Sequence, residues 1–397
     1  MQASFDDRPR NAGRLSRTLE WAWERGIASR PVLEPEAIVA AAANRSGIPP
    51  KEGAWRGRLE RLCQSLQSEA ALNSFGHTVA FGQLVKLVAA RGRAEQWIRR
   101  RPQIGATPVI APLLIVGQMR SGTTRLHRLL ACDPQFEVNR LYDQLDPVPS
   151  TGVVDARPVR AALAGALLRA IDPGLDSVHP TGPREPEEDF GLQAFSMWGA
   201  QFEGQWRIPS YVQHIESADP SDAYREYRGL LQLHAFARKS DPSRPWLLKA
   251  PQFAQDLEAV LDTFPDARLV VLKRDPAEVV ASSASLVWHH ARLMSNSVTR
   301  EEIGREWLRK TQLRTDRMET ALASRPNIAR VELDYASVSE DWRSAILEVY
   351  ELLGRPLDPS VERKMADFIH GSVAHRGHRY CAADFGLSDR QIAAKFA

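Results

Sequence analysis

Strands alternating with helices between Leu113 and Leu353 predict an α/β fold: a P-loop-like parallel sheet flanked by helices, with a helical N-terminal extension. Three observations carry this expectation. The run 113–116 (LLIV) is continuously apolar, as a strand covered on both faces must be. It leads into a tight turn bracketed by Gly117 and Gly122, after which Thr123 and Thr124 open a helix with Leu126, Leu129 and Leu130 on one face. A second strand, 268–275 (RLVVLKRD), runs into a marked helix start, with Asp275 as N-cap, Pro276 at the first helical position and Glu278 three after the cap.

The remaining elements follow in chain order. Residues 15–101 read as helical. Trp55, Leu59, Leu62 and Leu66 recur at helical spacing among arginines and glutamates, and Leu84, Leu87 and Val88 continue an apolar face. The segment IRRRPQIGATP then marks a boundary, dividing a helical region 1–105 from an α/β domain 106–397. Residues 133–184 are proline-rich and irregular, with one helix over 159–171, and 185–206 mix acids with aromatics. A helix over 224–239 precedes a short buried strand, 246–249 (WLLK), and a helix over 253–264. A third strand is expected at 328–333, and a helix over 342–353 ends at Gly354. The tail 371–397 is basic and irregular before a final short helix.

Composition narrows the function classes. The chain has 397 residues, 43% hydrophobic and 25% charged, as in a soluble globular protein. A net charge of +3 gives no case for a nucleic-acid partner. Cys63, Cys132 and Cys381 lie far apart, which argues against a disulfide framework or a cysteine zinc site and for a reducing compartment. The first residues carry acids and no apolar core, unlike a secretory signal. The most apolar short run, 161–168, is far below membrane-spanning length and is followed by Arg169. These features predict a cytoplasmic protein without a membrane span.

The chemistry concentrates in LLIVGQMRSGTTRLHRLLAC. Such a turn aims backbone N–H groups and a helix N-terminus at one point, which suits an anion. A nucleotide-hydrolase loop reads G-x-x-x-x-G-K-[ST], its lysine reaching the terminal phosphates. Here Thr123 takes the lysine's place and Arg120 is the one cation inside the loop. Ligands in open α/β sheets bind beyond the carboxyl ends of the strands. Three signals fall there: the loop, Lys249 and Arg274. Arg274 can grip a phosphate through parallel hydrogen bonds, and Ser282 lies about two turns into the following helix. Plainer roles compete: Arg274 in an ion pair with Asp275 or Glu278, Lys249 snorkelling, and the acids 185–189 as a solvated turn or helix start. His289 and His290 face either the cleft or the packing. Trp198, Phe202, Trp206 and Tyr211 line either an acceptor pocket or the core.

The segments QMRSGTTRLHRLL, WLLKAPQF and RLVVLKRDPAEVVASSASL resemble the signatures of sulfotransferases that use 3′-phosphoadenosine 5′-phosphosulfate (PAPS). The bacterial branch similar to the protein-tyrosine sulfotransferases is the nearest in kind. The resemblance continues through HPTGPREPEEDF to GHRYCAADFGL. It implies that Arg120, Ser121, Gly122, Thr123 and Thr124 bind the 5′-phosphosulfate, and that Arg274 and Ser282 bind the 3′-phosphate. It implies catalytic roles for Arg120, for Lys249 on the bridging oxygen, and for Glu187 or Glu188 as the base that deprotonates the acceptor. The implied reaction moves a sulfuryl group from PAPS to a hydroxyl of a small-molecule, lipid or glycan acceptor, releasing 3′-phosphoadenosine 5′-phosphate (PAP). No metal is required, because a sulfuryl group carries less negative charge than a phosphoryl group and fixed cations suffice. Two departures stand out near the acceptor side: PQF replaces a P-x-H pattern, and NRLYDQLDPVPS lacks the expected Trp-Glu. Arg376, His378 and Arg379 are placed to close over the nucleotide. A P-loop small-molecule kinase and a non-catalytic nucleotide-binding protein are the alternatives.

Overall fold

The computed structural model describes residues 10–150, 154–172, 181–371 and 381–396. Its centre is a parallel sheet of β1 (Leu113–Gly117), β2 (Glu137–Val138), β3 (Trp246–Lys249), β4 (Arg268–Lys273) and β5 (Arg330–Asp334). The strand order is β2-β3-β1-β4-β5. Leu113 pairs with both Leu247 and Arg268, Ile115 with Lys249, and Gly117 with Leu272. The carboxyl ends of β1, β3 and β4 therefore reach one edge together. Successive residues of each strand alternate between two cores, as the two-residue period requires. Leu114, Val116, Leu248, Leu269 and Val271 face one, with Phe253, Tyr227 and Phe264. Leu113, Ile115, Leu247, Val270 and Leu272 face the other, with Leu126, Leu129, Leu130, Ile346 and Val349.

The expected strands β1, β3 and β4 form where their apolar runs lie. β5 begins two residues later than expected, at Arg330, and the two-residue β2 is additional. The helix expected over 253–264 is two pieces, Gln252–Gln255 and Leu257–Thr263. Between them Asp256 has φ −114° and accepts hydrogen bonds from Trp198 Nε1 (2.8 Å), Tyr224 Oη (3.1 Å) and Gln252 Nε2 (2.9 Å). Those three donors fix the carboxylate and with it the break. The helix Arg300–Ser324, absent from the sequence reading, opens on a Thr299–Glu302 capping box.

The N-terminal region folds into helices Arg10–Glu24, Pro35–Ser46, Trp55–Ser68 and Ser74–Arg100. Asn73 caps the last, its Oδ1 accepting the Gly76 N–H at 2.8 Å. Trp55, Leu59, Leu62, Leu66, Leu84, Leu87 and Val88 are all buried, in one cluster with Trp198, Phe202, Trp206 and Tyr211. Those four aromatics are thus part of a packed core, and Trp206 also lines a cavity with Glu203 and Lys310. Among the described residues no helix is long and apolar enough to cross a membrane.

Candidate active site

Two glycines let the loop after β1 form. A Cβ on Gly117 would stand 2.6 Å from the Leu272 carbonyl oxygen. Gly122 has φ +88°, and a Cβ there would stand 2.4 Å from Tyr335 Cδ2. Only glycine meets both demands without movement. Arg120 also adopts a left-handed backbone, φ +68°. The helix Thr123–Leu130 follows, and its first N–H groups point out of its N-terminal end, as an anion site needs. Ser121 Oγ closes the turn by donating to the Gln118 carbonyl at 2.6 Å.

On one side of the loop lies a group of cations. Arg120 Nε donates to Ser282 Oγ at 3.0 Å, joining the loop to the helix Pro276–Met294. Arg274 Nη1 donates to the Arg120 carbonyl at 2.6 Å, and its guanidinium lies 4.1 Å from the centre of the Tyr335 ring. It also pairs with Glu278 at 2.6 Å, so the plainer ion-pair role is real and coexists with the loop contact. Asp275 caps this helix as expected, accepting from the N–H groups of Ala277 and Glu278 at 2.8 and 3.2 Å.

On the other side, the end of β3 meets the acids. Lys249 is buried; Nζ donates to Thr124 Oγ1 at 3.0 Å and forms an ion pair with Glu188. Thr124 Oγ1 in turn lies 2.8 Å from Glu188 Oε1. Burial pulls the Lys249 pKa below its ordinary value, and Glu188 opposes that pull. Glu187 accepts from Thr181 Oγ1 at 2.8 Å, pairs with Arg128 at 3.4 Å, and takes the Glu188 N–H at 3.0 Å. Glu187, Glu188 and Asp189 are all buried, so this part of the acidic run is no solvated turn, whereas Glu185 is exposed.

Asp189 is the residue that sequence reasoning passed over. It and Lys249 exchange two backbone-anchored bonds: Asp189 Oδ2 accepts the Lys249 N–H at 3.0 Å, and the Asp189 N–H donates to the Lys249 carbonyl at 2.8 Å. Asn139 Nδ2 holds the other carboxylate oxygen at 2.7 Å. Burial pushes the Asp189 carboxyl up to about 7 against those hydrogen bonds. Its place in the run PEED was the one available signal. His127, on the loop helix, is buried beside Lys249; burial first and Lys249 second hold it down to about 4. His289 bonds Asp172 at 2.6 Å and Arg292 at 3.2 Å. Arg376, His378 and Arg379 lie outside the described residues.

The fold thus gathers a glycine-bracketed loop, the arginines Arg120 and Arg274, and a lysine–threonine–carboxylate cluster at one sheet edge, the layout of a group-transfer enzyme. The model of the sulfotransferase family matches residues 112–359, more than half of the chain, and the protein belongs to that family. Two solved structures share its fold. One is sulfotransferase STF1 from Mycobacterium tuberculosis H37Rv, with TM-score 0.82 and 24% identity over 93% of this chain and 99% of that one. The other is sulfotransferase STF9 from Mycobacterium avium, with TM-score 0.81 and 22% identity over 92% of this chain and 95% of that one. No curated protein matches the chain.

Proposed function

We propose that this protein transfers a sulfuryl group from PAPS to an acceptor hydroxyl, giving PAP and a sulfate ester. The observation that carries the reading is the Lys249–Thr124–Glu188 cluster set against a phosphate loop whose lysine position holds Thr123. The 5′-phosphosulfate would sit on the N–H groups of Ser121, Gly122, Thr123 and Thr124 with Arg120 beside it. Arg274 and Ser282, both tied to Arg120, would take the 3′-phosphate.

The acceptor oxygen attacks sulfur, and its proton passes to Glu188. The bond from sulfur to the bridging oxygen breaks, and PAP leaves with the electron pair. Lys249 balances the charge that grows on that oxygen. Glu188 suits the base because it stands with Lys249 and Thr124. Glu187 is held by Thr181, Arg128 and the Glu188 N–H and would orient its neighbour. The acceptor is a small-molecule, lipid or glycan hydroxyl. Three free thiols suit a reducing compartment such as the cytoplasm.

Calorimetric titration with PAP, ADP and ATP, each with and without magnesium, tests the reading. Metal-independent binding of PAP, tighter than that of ADP, is expected. Preference for ATP with magnesium would replace this reading with a small-molecule kinase. Tight PAP binding without sulfate transfer to any acceptor of a broad panel would leave a nucleotide-binding protein.

A further inference from the structure

The helix Arg157–Ile171 turns its apolar side outward. Val159, Leu163 and Leu167 follow one another at single turns and are 62%, 66% and 63% exposed, with Leu168 at 44% and Val154 just before the helix at 77%. Single exposed apolar residues are ordinary; a contiguous stripe is not. Five of the eleven large apolar side chains exposed among the described residues fall on residues 154–168. The inward side is slight, consisting of Arg157, Pro158, Ala161 and Ile171.

The charges of this helix are all of one sign. It carries Arg157, Arg160 and Arg169 and no acid. Arg157 is buried and neutralised by Asp155 and Asp143 at 2.7 and 3.1 Å. Arg160 remains 55% exposed at the edge of the stripe, with Asp146 at 3.1 Å behind it. The neighbouring helix touches here, Asn11 Nδ2 donating to the Ala170 carbonyl at 2.9 Å, and adds exposed Arg14 and Arg17 in its first half, with exposed Glu20 and Glu24 in its second. A second copy docked by this face would set arginines against arginines. A surface of anionic headgroups over an apolar layer complements both features. The helix has 15 residues, about 22 Å at 1.5 Å each, which is short of the membrane core but suited to lying in its plane.

Its position gives such docking a consequence. Arg169 Nη2 donates to the Thr181 carbonyl at 3.0 Å, and Thr181 Oγ1 holds Glu187 at 2.8 Å. Asp172, directly after the helix, bonds His289 on the helix that bears Ser282. We propose that the outward face of the helix Arg157–Ile171 seats the enzyme on an anionic lipid surface. The proposal is independent of the transfer chemistry, and PAP titration of the same samples separates the two.

Flotation of the full-length protein with vesicles tests it, comparing phosphatidylcholine alone with a phosphatidylglycerol mixture. The wild type is expected to float with the anionic vesicles and to partition about tenfold less onto the neutral ones. Salt at about 0.5 M should weaken the anionic binding. The variant L163E/L167E, both positions exposed, should lose at least about tenfold in partition while binding PAP as the wild type does. V159E, a single change on the same stripe, provides the readout if the double variant does not fold. Wild-type protein that stays soluble with both vesicles overturns the proposal, as do folded variants that float equally well. A dimer that L163E/L167E converts to monomer, with no flotation, assigns the face to a second copy and overturns it as well.

Discussion

Glu187 and Glu188 are adjacent, buried and both carboxylates, yet their partners differ enough to separate their roles. Glu188 shares Lys249 and Thr124 with the loop, whereas Glu187 is spoken for by Thr181, Arg128 and a backbone N–H. Glu188→Gln is expected to lower kcat by about 10²–10⁴-fold, the span of a lost general base, with little change in PAP affinity. Glu187→Gln should cost less; the reverse order in steady-state assays with an identified acceptor would reassign the base. A second expectation concerns acid stability. His127 is held down to about 4 and His234 to about 3, both by burial. A depressed histidine binds its proton more weakly in the folded state, so its contribution is fully present above the ordinary value of 6.5 and is lost as pH falls toward the folded value. Each should cost about 1.4 kcal/mol per pH unit of acidification in that window. Asp189, pushed up to about 7, works the opposite way: its contribution is present in acid and is lost as pH rises through about 7. His127→Gln should flatten the urea-denaturation stability between pH 6.5 and 4 by about one such slope, and an unchanged slope would mean that His127 is charged when buried. The placement of Arg120, Lys249, Arg274 and Ser282 at one sheet edge was legible because their signals are local to strand ends and one helix start. Asp189 was not, because its bonds to Lys249 span 60 positions and exist only once β3 lies beside the acidic segment.

Among the elements, the loop after β1 depends most on a single position. Gly122→Ala places a side chain at φ +88°, a left-handed backbone that costs roughly 1–2 kcal/mol. It also drives a methyl into Tyr335, whose ring lies against Arg274. Lower thermal stability and weaker PAP binding are expected together, and adding Tyr335→Ala should recover part of the stability by removing the clash. If Gly122→Ala leaves both unchanged in differential scanning fluorimetry and titration, the loop is looser than this packing requires. The apolar runs of β1, β3 and β4 and the cap at Asp275 announce themselves in the sequence because burial on both faces and helix starts leave dense local patterns. The helix Arg300–Ser324 does not. Its buried side includes Lys310 and Arg314, matched by Glu203 and Glu216 from elsewhere in the chain. Buried ion pairs make an interior helix look like a surface one, and the partners stand about a hundred positions away, at 111 for Arg314 and Glu203. β2 has only two residues, too few to carry any period.

At the scale of the whole molecule, the composition boundary near residue 105 separates two styles of sequence but crosses one core. Trp55, Leu59, Leu62 and Leu66 pack in the same cluster as Trp198, Phe202, Trp206 and Tyr211. Arg58 reaches across to Asp222 through two bonds of 3.0 Å and to the Ser196 carbonyl at 2.8 Å. Arg91 donates to the Phe195 carbonyl at 2.9 Å and pairs with Glu226. Removing residues 1–105 would strip the cover from four large aromatic side chains. At about 1.5–3 kcal/mol each, that burial is worth roughly 6–12 kcal/mol. The sum is as large as the entire stability of a typical domain, about 5–15 kcal/mol. The two regions should consequently unfold together. Calorimetry of the full chain is expected to show one transition with van 't Hoff and calorimetric enthalpies in agreement. PAP, bound at the loop after β1, should raise that same single transition in the wild-type chain. Two separate transitions, with only one responding to PAP, would make residues 1–105 an independent domain despite the shared core.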